Sequence, residues 1–358
     1  MKVGYYKCAL VFVHLGQEIP PTLEAFSRVS PIKSGELLKI LVTDKFGTQL
    51  KFDGEVIVWE ELSSASKSLL KRRNYYSKLA SGYWLNTFER IFALRALVDL
   101  PTISSIPIIH LESDVMPLFN LSDIDFLSSN FSKVALPRFS ETRGIGSFIF
   151  SPNIQVLMST LEELEVLAIR NSEWLENDME LLGLGLKEGL IMELPSHPSD
   201  YSSERYTSQR NQRILFDGAA LGQYLFGQDP FHQSGLRYSG FKNSSYFSRT
   251  NINSMRWGIE SKEKEARLIV EFDEIPFKVA NIHIHSKEVL PPLSASSERW
   301  QRAIDEANGK VVRIQESITD TSPHLRKPNL WVRFQIAKTK GLKIALKQYV
   351  MNRLKWEK

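Results

Sequence analysis

The sequence predicts an α/β fold with a mixed, mainly parallel sheet flanked by helices, and three observations carry that reading. Near-continuous apolar runs of strand length recur at Cys8–Leu15, Leu37–Thr43, Glu55–Trp59 and Ile106–Leu111, as expected of strands buried on both faces. Helix-like stretches separate these runs, and such alternation builds parallel sheets. A chain of 358 residues, 42% of them hydrophobic, is long enough to bury the core such a sheet needs.

Taken in order, Cys8–Leu15 (CALVFVHL) is the first strand, and Gly16 and Pro20-Pro21 break the chain after it. Thr22–Val29 reads as a helix opened by its prolines. Leu37–Thr43 (LLKILVT) is the second strand, ending at Asp44, and Glu55–Trp59 (EVIVW) the third. Residues Leu69–Leu100 are mostly helical, with Phe88, Ile91, Phe92, Leu94 and Val98 near helical spacing. Ile106–Leu111 (IPIIHL) is a further strand and runs into Glu112-Ser113-Asp114. Ligands of such sheets bind where strands end at their carboxyl side. Beyond, Gly146–Phe150 reads as a strand, Asn153–Ala168 and Glu176–Leu186 as helices, and Ser196–Gln212 as a long loop. Phe216–Phe226 reads as a helix, Gly235–Thr250 as a Gly/Ser-rich loop, and Ala266–Phe272 and Lys278–His285 as strands. Ser294–Ser297 marks a boundary between a domain over residues 1–293 and an extension over 294–358.

Composition excludes several classes. The single cysteine, Cys8, rules out an internal disulfide scaffold and a four-cysteine zinc site. No apolar stretch reaches the 18 residues of a bilayer span, and no cleavable leader is visible, so a cytoplasmic location is expected. The net charge of +4 is unevenly placed: from Pro323 onward there are ten Lys/Arg and one acid, leaving 35 bases against 40 acids elsewhere. A mildly acidic body thus carries a strongly basic tail, which suits an anionic partner.

Two constellations carry chemistry. Glu112 and Asp114, two carboxylates at i and i+2 where a strand ends, can share one hard cation, Mg²⁺ or Mn²⁺, with room for phosphate oxygens; the alternative is a solvated strand end. Asp123–Asp125 sits at a helix start, where capping is the simpler role, and Glu271–Asp273 is a rival that also follows an apolar run. His283 and His285, at i and i+2 on a strand, point the same way, with Lys287 two residues on as a point charge for phosphate; the alternative is one packed and one exposed histidine. Small residues at 218, 219, 220 and 222 permit close backbone approach, to a ligand or to a neighbouring element. No phosphate-binding G-x-x-x-x-G-K-[ST] loop, nucleophile elbow or H-E-x-x-H is present.

In order along the chain, VFVHLGQEIPPTLEAFSRV (11–29), LKILVTD (38–44), FERIFALRAL with IIHLESDV, ALPRFSETRGIGSFIFSPN (135–153), ENDMELLG (176–183), FDGAALGQYLFGQDP (216–230) and NIHIHSK (281–287) resemble the nucleotide-sugar glycosyltransferases of the GT-A fold, of the bacterial surface-polysaccharide kind. The resemblance spans roughly residues 6–290 and rests on the ordered co-occurrence of these segments. It implies a metal at Glu112, Asp114 and one or both of His283 and His285, with Glu112 standing where the family usually has Asp. It implies a nucleotide-sugar donor near His14, Gly16, Asp44, Arg90, Ser113 and Lys287, and a glycan or lipid-linked acceptor. Asp178, Glu180 and Asp217 are then the candidate bases if transfer inverts the anomeric centre. The Glu112 departure keeps a competing reading open, a non-catalytic glycan- or nucleotide-binding scaffold at the membrane.

In the tail, Leu342, Ala345, Leu346, Tyr349 and Val350 share one helical face and Lys340, Lys343 and Lys347 another. A basic amphipathic helix within 330–358 fits peripheral contact with anionic lipid on the inner face of the cell membrane; the alternative is that its apolar face docks on the body. Nucleic acid is not expected, because the acidic body offers no basic groove to continue the tail.

Overall fold

A computed structural model describes residues 6–16, 19–29, 32, 35–58, 61, 83–140, 142–173, 175–202, 212–218, 221–222, 225, 255–262, 265–284, 298 and 300–308. All lie within the larger of the chain's two units, Met1–Val312. The expected loop at 235–250, His285, Lys287, the boundary at 294–297 and the basic tail at 330–358 fall outside the described residues.

The first half follows the sequence closely. Strands β1 (Cys8–His14), β2 (Leu37–Thr43), β3 (Glu55–Val58) and β4 (Ile108–Leu111) run parallel in the order β3-β2-β1-β4. Every residue of β1 and β2 is buried. Lys39 is tolerated within β2 because its ammonium donates to the Ser27 carbonyl at 2.9 Å. Helix α1 (Pro21–Arg28) begins at a proline, as expected, and α2 (Tyr83–Ala93) continues into 3₁₀ turns through Asp99.

After β4 the chain turns into β5 (Val115–Pro117), then α3 (Leu121–Asn130), β6 (Ala135–Ser140), β7 (Arg143–Gly144), β8 (Phe148–Ser151), α4 (Ile154–Arg170), α5 (Asp178–Lys187) and β9 (Met192–Leu194). β8 adds antiparallel to β4, β6 antiparallel to β8, and β9 parallel to β6, completing a mixed eight-stranded sheet. Asparagines cap the helices: Asn153 accepts from Val156 N at 2.9 Å, and Asn120 and Asp123 bond each other's backbone N–H groups in a capping box. Asp123 is therefore a cap, as its position at a helix start suggests. A buried Arg95–Glu165 pair at 2.9 Å ties the turn after α2 to α4 over the shared core.

A second sheet combines the strands expected over 266–272 and 278–285 with others that local patterning did not reveal. β10 (Ile214–Phe216), β11 (Arg256–Lys262), β12 (Glu265–Phe272) and β13 (Ile275–His283) pair in the order β10-β13-β12-β11, with β5 against β13. Phe216 ends a strand and does not start a helix. The Glu271–Asp273 triplet is a hairpin: Glu271 sits in the ladder, and Asp273 and Glu274 adopt φ of 49° and 63° at the turn. Beyond the second sheet, Asn308 bonds both the N–H and the carbonyl of Trp257 on β11, at 2.8 and 3.2 Å. No helix among the described residues is long and apolar enough to cross a membrane.

Candidate functional site

Glu112, Ser113 and Asp114 form the turn that passes the chain from β4 in the first sheet to β5 in the second, closed by Val115 N donating to Glu112 O at 3.1 Å. β5 pairs antiparallel with β13, Val115 opposite His283, and Ile284 N donates to Asp114 O at 2.8 Å. That register places His283 beside the two acids: its Nε2 lies 3.5 Å from Asp114 Oδ2 and 3.9 Å from Glu112 Oε2. Among the described residues these three form the one group of His, Cys, Asp or Glu able to share a metal, with candidate ligand atoms all within 4.8 Å of one another. Glu112 and His283 are buried, while Asp114 is half-buried and opens the group to the surface.

Surrounding side chains orient the group. His283 Nδ1 lies 2.7 Å from the Gly218 carbonyl, an acceptor only, so the proton on that nitrogen is assigned by its partner and Nε2 faces the carboxylates. Arg90, from α2, donates through Nη2 to Glu112 Oε1 at 2.6 Å, and the same nitrogen lies 3.6 Å from Asp178 Oδ2 at the start of α5. Burial alone would lower the His283 pKa, but the charge and hydrogen bond of Asp114, with Glu112 and the Gly218 carbonyl, raise it to about 10. Burial also pushes the Glu112 carboxyl up, against the pull of Arg90. His110, two residues earlier on β4, is kept neutral, its pKa lowered to about 3 by burial and by Arg90; its Nδ1 sits 3.1 Å from the Val11 carbonyl.

This donor set fits a divalent cation of the Mg²⁺ or Mn²⁺ kind. It offers two carboxylates and one imidazole nitrogen whose ring is oriented through its other nitrogen, the usual arrangement around a metal-bound histidine. The imidazolium that faces the acids without metal is the charge such a cation would replace.

The other predicted residues fall into separate places. His14, Gly16 and Asp44 gather at the carboxyl ends of β1 and β2: His14 Nε2 lies 3.1 Å from the Gly16 carbonyl, and Gly16 N donates to Asp44 Oδ2 at 2.8 Å. Asp44 Oδ1 also accepts from Phe46 N and Gly47 N, at 3.1 and 3.4 Å. Gly16 has φ of 129°, which only glycine adopts without strain. Ser113 is half-buried at the tip of the β4–β5 turn. Glu180 accepts from Glu176 N at 2.9 Å and from Arg143 at 3.2 Å, beside the Asn177 cap of α5. Asp217 is 1% exposed, and its oxygens accept from Leu221, Gly222 and His283 N–H groups. Sequence reasoning missed the Gly218 carbonyl, Asn281 and Ser147 as partners of this segment; the run of small residues from 218 was its only sequence signal.

No protein-family model matches the chain, and no curated protein matches it. Among solved structures it is similar to the glycosyltransferase GlyE of Streptococcus pneumoniae TIGR4, with a TM-score of 0.35 and 17% identity over 57% of this chain and 50% of that one. It is also similar to mouse xyloside xylosyltransferase 1 in its apo form (TM-score 0.34, 12% identity, 56% of this chain and 90% of that one). A third is the galactosyltransferase LgtC in complex with donor and acceptor sugar analogues (0.33, 9%, 56% and 80%). The chain thus spans about half the length of GlyE.

Proposed function

We propose that the chain is a metal-dependent glycosyltransferase of the GT-A kind, moving a sugar from a nucleotide-sugar donor to a hydroxyl of a glycan or lipid-linked acceptor in bacterial cell-surface glycan synthesis. The observation that carries the reading is the Glu112–Asp114–His283 group, assembled where the parallel sheet ends and opened to the surface through Asp114.

In this reading Glu112, Asp114 and His283 hold Mn²⁺ or Mg²⁺, and a bound cation there would offset the charge that develops on the departing nucleoside diphosphate. Arg90 fixes the Glu112 carboxylate through the 2.6 Å bond and keeps Asp178 close by. The His14–Gly16–Asp44 corner receives the nucleoside, and Lys287 adds positive charge beside the leaving group. Of the three candidate bases, Asp178 shares Arg90 with Glu112, Glu180 accepts from Glu176 N and Arg143, and Asp217 accepts from the His283 N–H. Peripheral attachment of residues 330–358 to anionic lipid would keep a lipid-linked acceptor at hand.

The test is Asp114→Ala, with the donor first found by screening nucleoside diphosphates for Mn²⁺-dependent thermal shift. Loss of one ligand is expected to cost at least about 100-fold in sugar transfer, with the metal-free melting temperature little changed. Undiminished transfer overturns the reading.

A further inference from the structure

We propose that Asp217 is a positioning residue for His283, holding the imidazole so that Nε2 is turned toward Glu112 and Asp114. The inference rests on the metal-site reading above and assigns a role to the FDG segment at the end of β10.

Three features converge on it. The Asp217 carboxylate, 1% exposed, accepts from His283 N at 2.9 Å and from Gly222 N at 2.8 Å on Oδ2, and from Leu221 N at 2.9 Å on Oδ1. The next carbonyl, that of Gly218, accepts from His283 Nδ1 at 2.7 Å. One dipeptide thus grips both the main chain and the ring of a single residue, and a ring held through Nδ1 can present only Nε2 as a lone-pair donor. The ladder is built to bring them together. Leu215 pairs with Val279 but Phe216 pairs with Asn281, so β13 carries an extra residue there, and such bulges re-aim side chains beside sites.

Asp217 is itself held in place. Asn281 clamps its backbone, accepting from Asp217 N at 3.1 Å and donating to Asp217 O at 2.8 Å, and Ser147 Oγ donates to the same carbonyl at 3.1 Å. Gly222 completes the fit, since a Cβ there would lie 1.9 Å from the His283 carbonyl oxygen. With both oxygens taken by backbone donors and almost no surface exposed, Asp217 is placed to orient a ligand and not to accept a proton from substrate.

The experiment compares wild type with Asp217→Asn, which keeps the shape but puts an amide where an acceptor is needed. The probe is Mn²⁺ alone, followed by calorimetric titration, with metal-free melting measured in chelator. The expected result is a cooperative melt with Mn²⁺ affinity weakened about 10- to 100-fold. Affinity equal to that of wild type overturns the inference while leaving the metal site standing; a wild type that binds no Mn²⁺ overturns both. Should the variant not fold, wild type labelled with ¹⁵N-histidine and loaded with Mg²⁺ decides the matter. A His283 backbone N–H slow to exchange with water, as its bond to Asp217 Oδ2 requires, supports the role, and fast exchange of that N–H overturns it.

Discussion

Carboxylates stand at the ends of β2 and β10 on one hand and of β4 on the other, and they are satisfied in opposite ways. Asp44 and Asp217 accept from backbone N–H groups. Glu112 and Asp114 face cationic side chains, Arg90 and His283. A carboxylate bonded to backbone is part of the chain's path, and removing it frees the segment it holds. A carboxylate bonded to a side-chain cation can exchange that cation for another without the backbone moving. The difference separates acids that hold the path of the chain from acids that face exchangeable cations.

Arg90→Met probes the exchangeable end most severely. It leaves Glu112 buried without its nearest cation, at an expected cost of about 3 kcal/mol, read by denaturant unfolding in chelator. Saturating Mn²⁺ is expected to restore part of the loss; no restoration breaks the distinction, because Glu112 would then be structural too.

A second effect follows from His283. Its folded pKa of about 10 lies above its unfolded value of about 6.5. The imidazolium therefore contributes stability fully below about pH 6.5 and loses it as pH rises through about 10. The metal-free protein weakens across that window, while Mn²⁺, which needs the neutral ring, gains affinity by about tenfold per pH unit. Calorimetric titrations at stepped pH check this, and a flat profile would mean that the ring gives up no proton to the metal.

Asp44→Ala should be the mildest. Loss of an acceptor for three backbone donors is expected to cost about 1–2 kcal/mol, with Mn²⁺ affinity untouched. A change in that affinity would show that the two strand ends are coupled.

Legibility in the sequence divides along the same line. β1, β2 and β4 could be read because each buries both faces and so declares itself in a few consecutive residues, and Asp123 could be read because a helix cap is a local contact. Glu112 and Asp114 were legible as acids at a strand end. That His283 meets them was not, because that contact is set by the pairing of Val115 with His283. β5 is three residues ending in proline, and β11 (RWGIESK) has little apolar alternation. β5 exists because β13, distant in sequence, pairs with it, and β11 because it folds back on the more apolar β12. Asp217 was legible as an acid beside glycines, but its three N–H donors could not be seen before the turn at 221–222 was placed.

The β5–β13 pairing also has a consequence for how the protein is made. Asp114 and His283 are brought together across a chain segment of about 170 residues, a costly closure to achieve early in folding. On the ribosome, the parallel strands and the acidic turn emerge long before the histidine that faces them. The nascent chain therefore carries a carboxylate pair with an arginine for company and no third ligand. The third of the proposed ligands arrives with β13, the last described strand to be synthesised, so the proposed site is complete only once that strand has emerged.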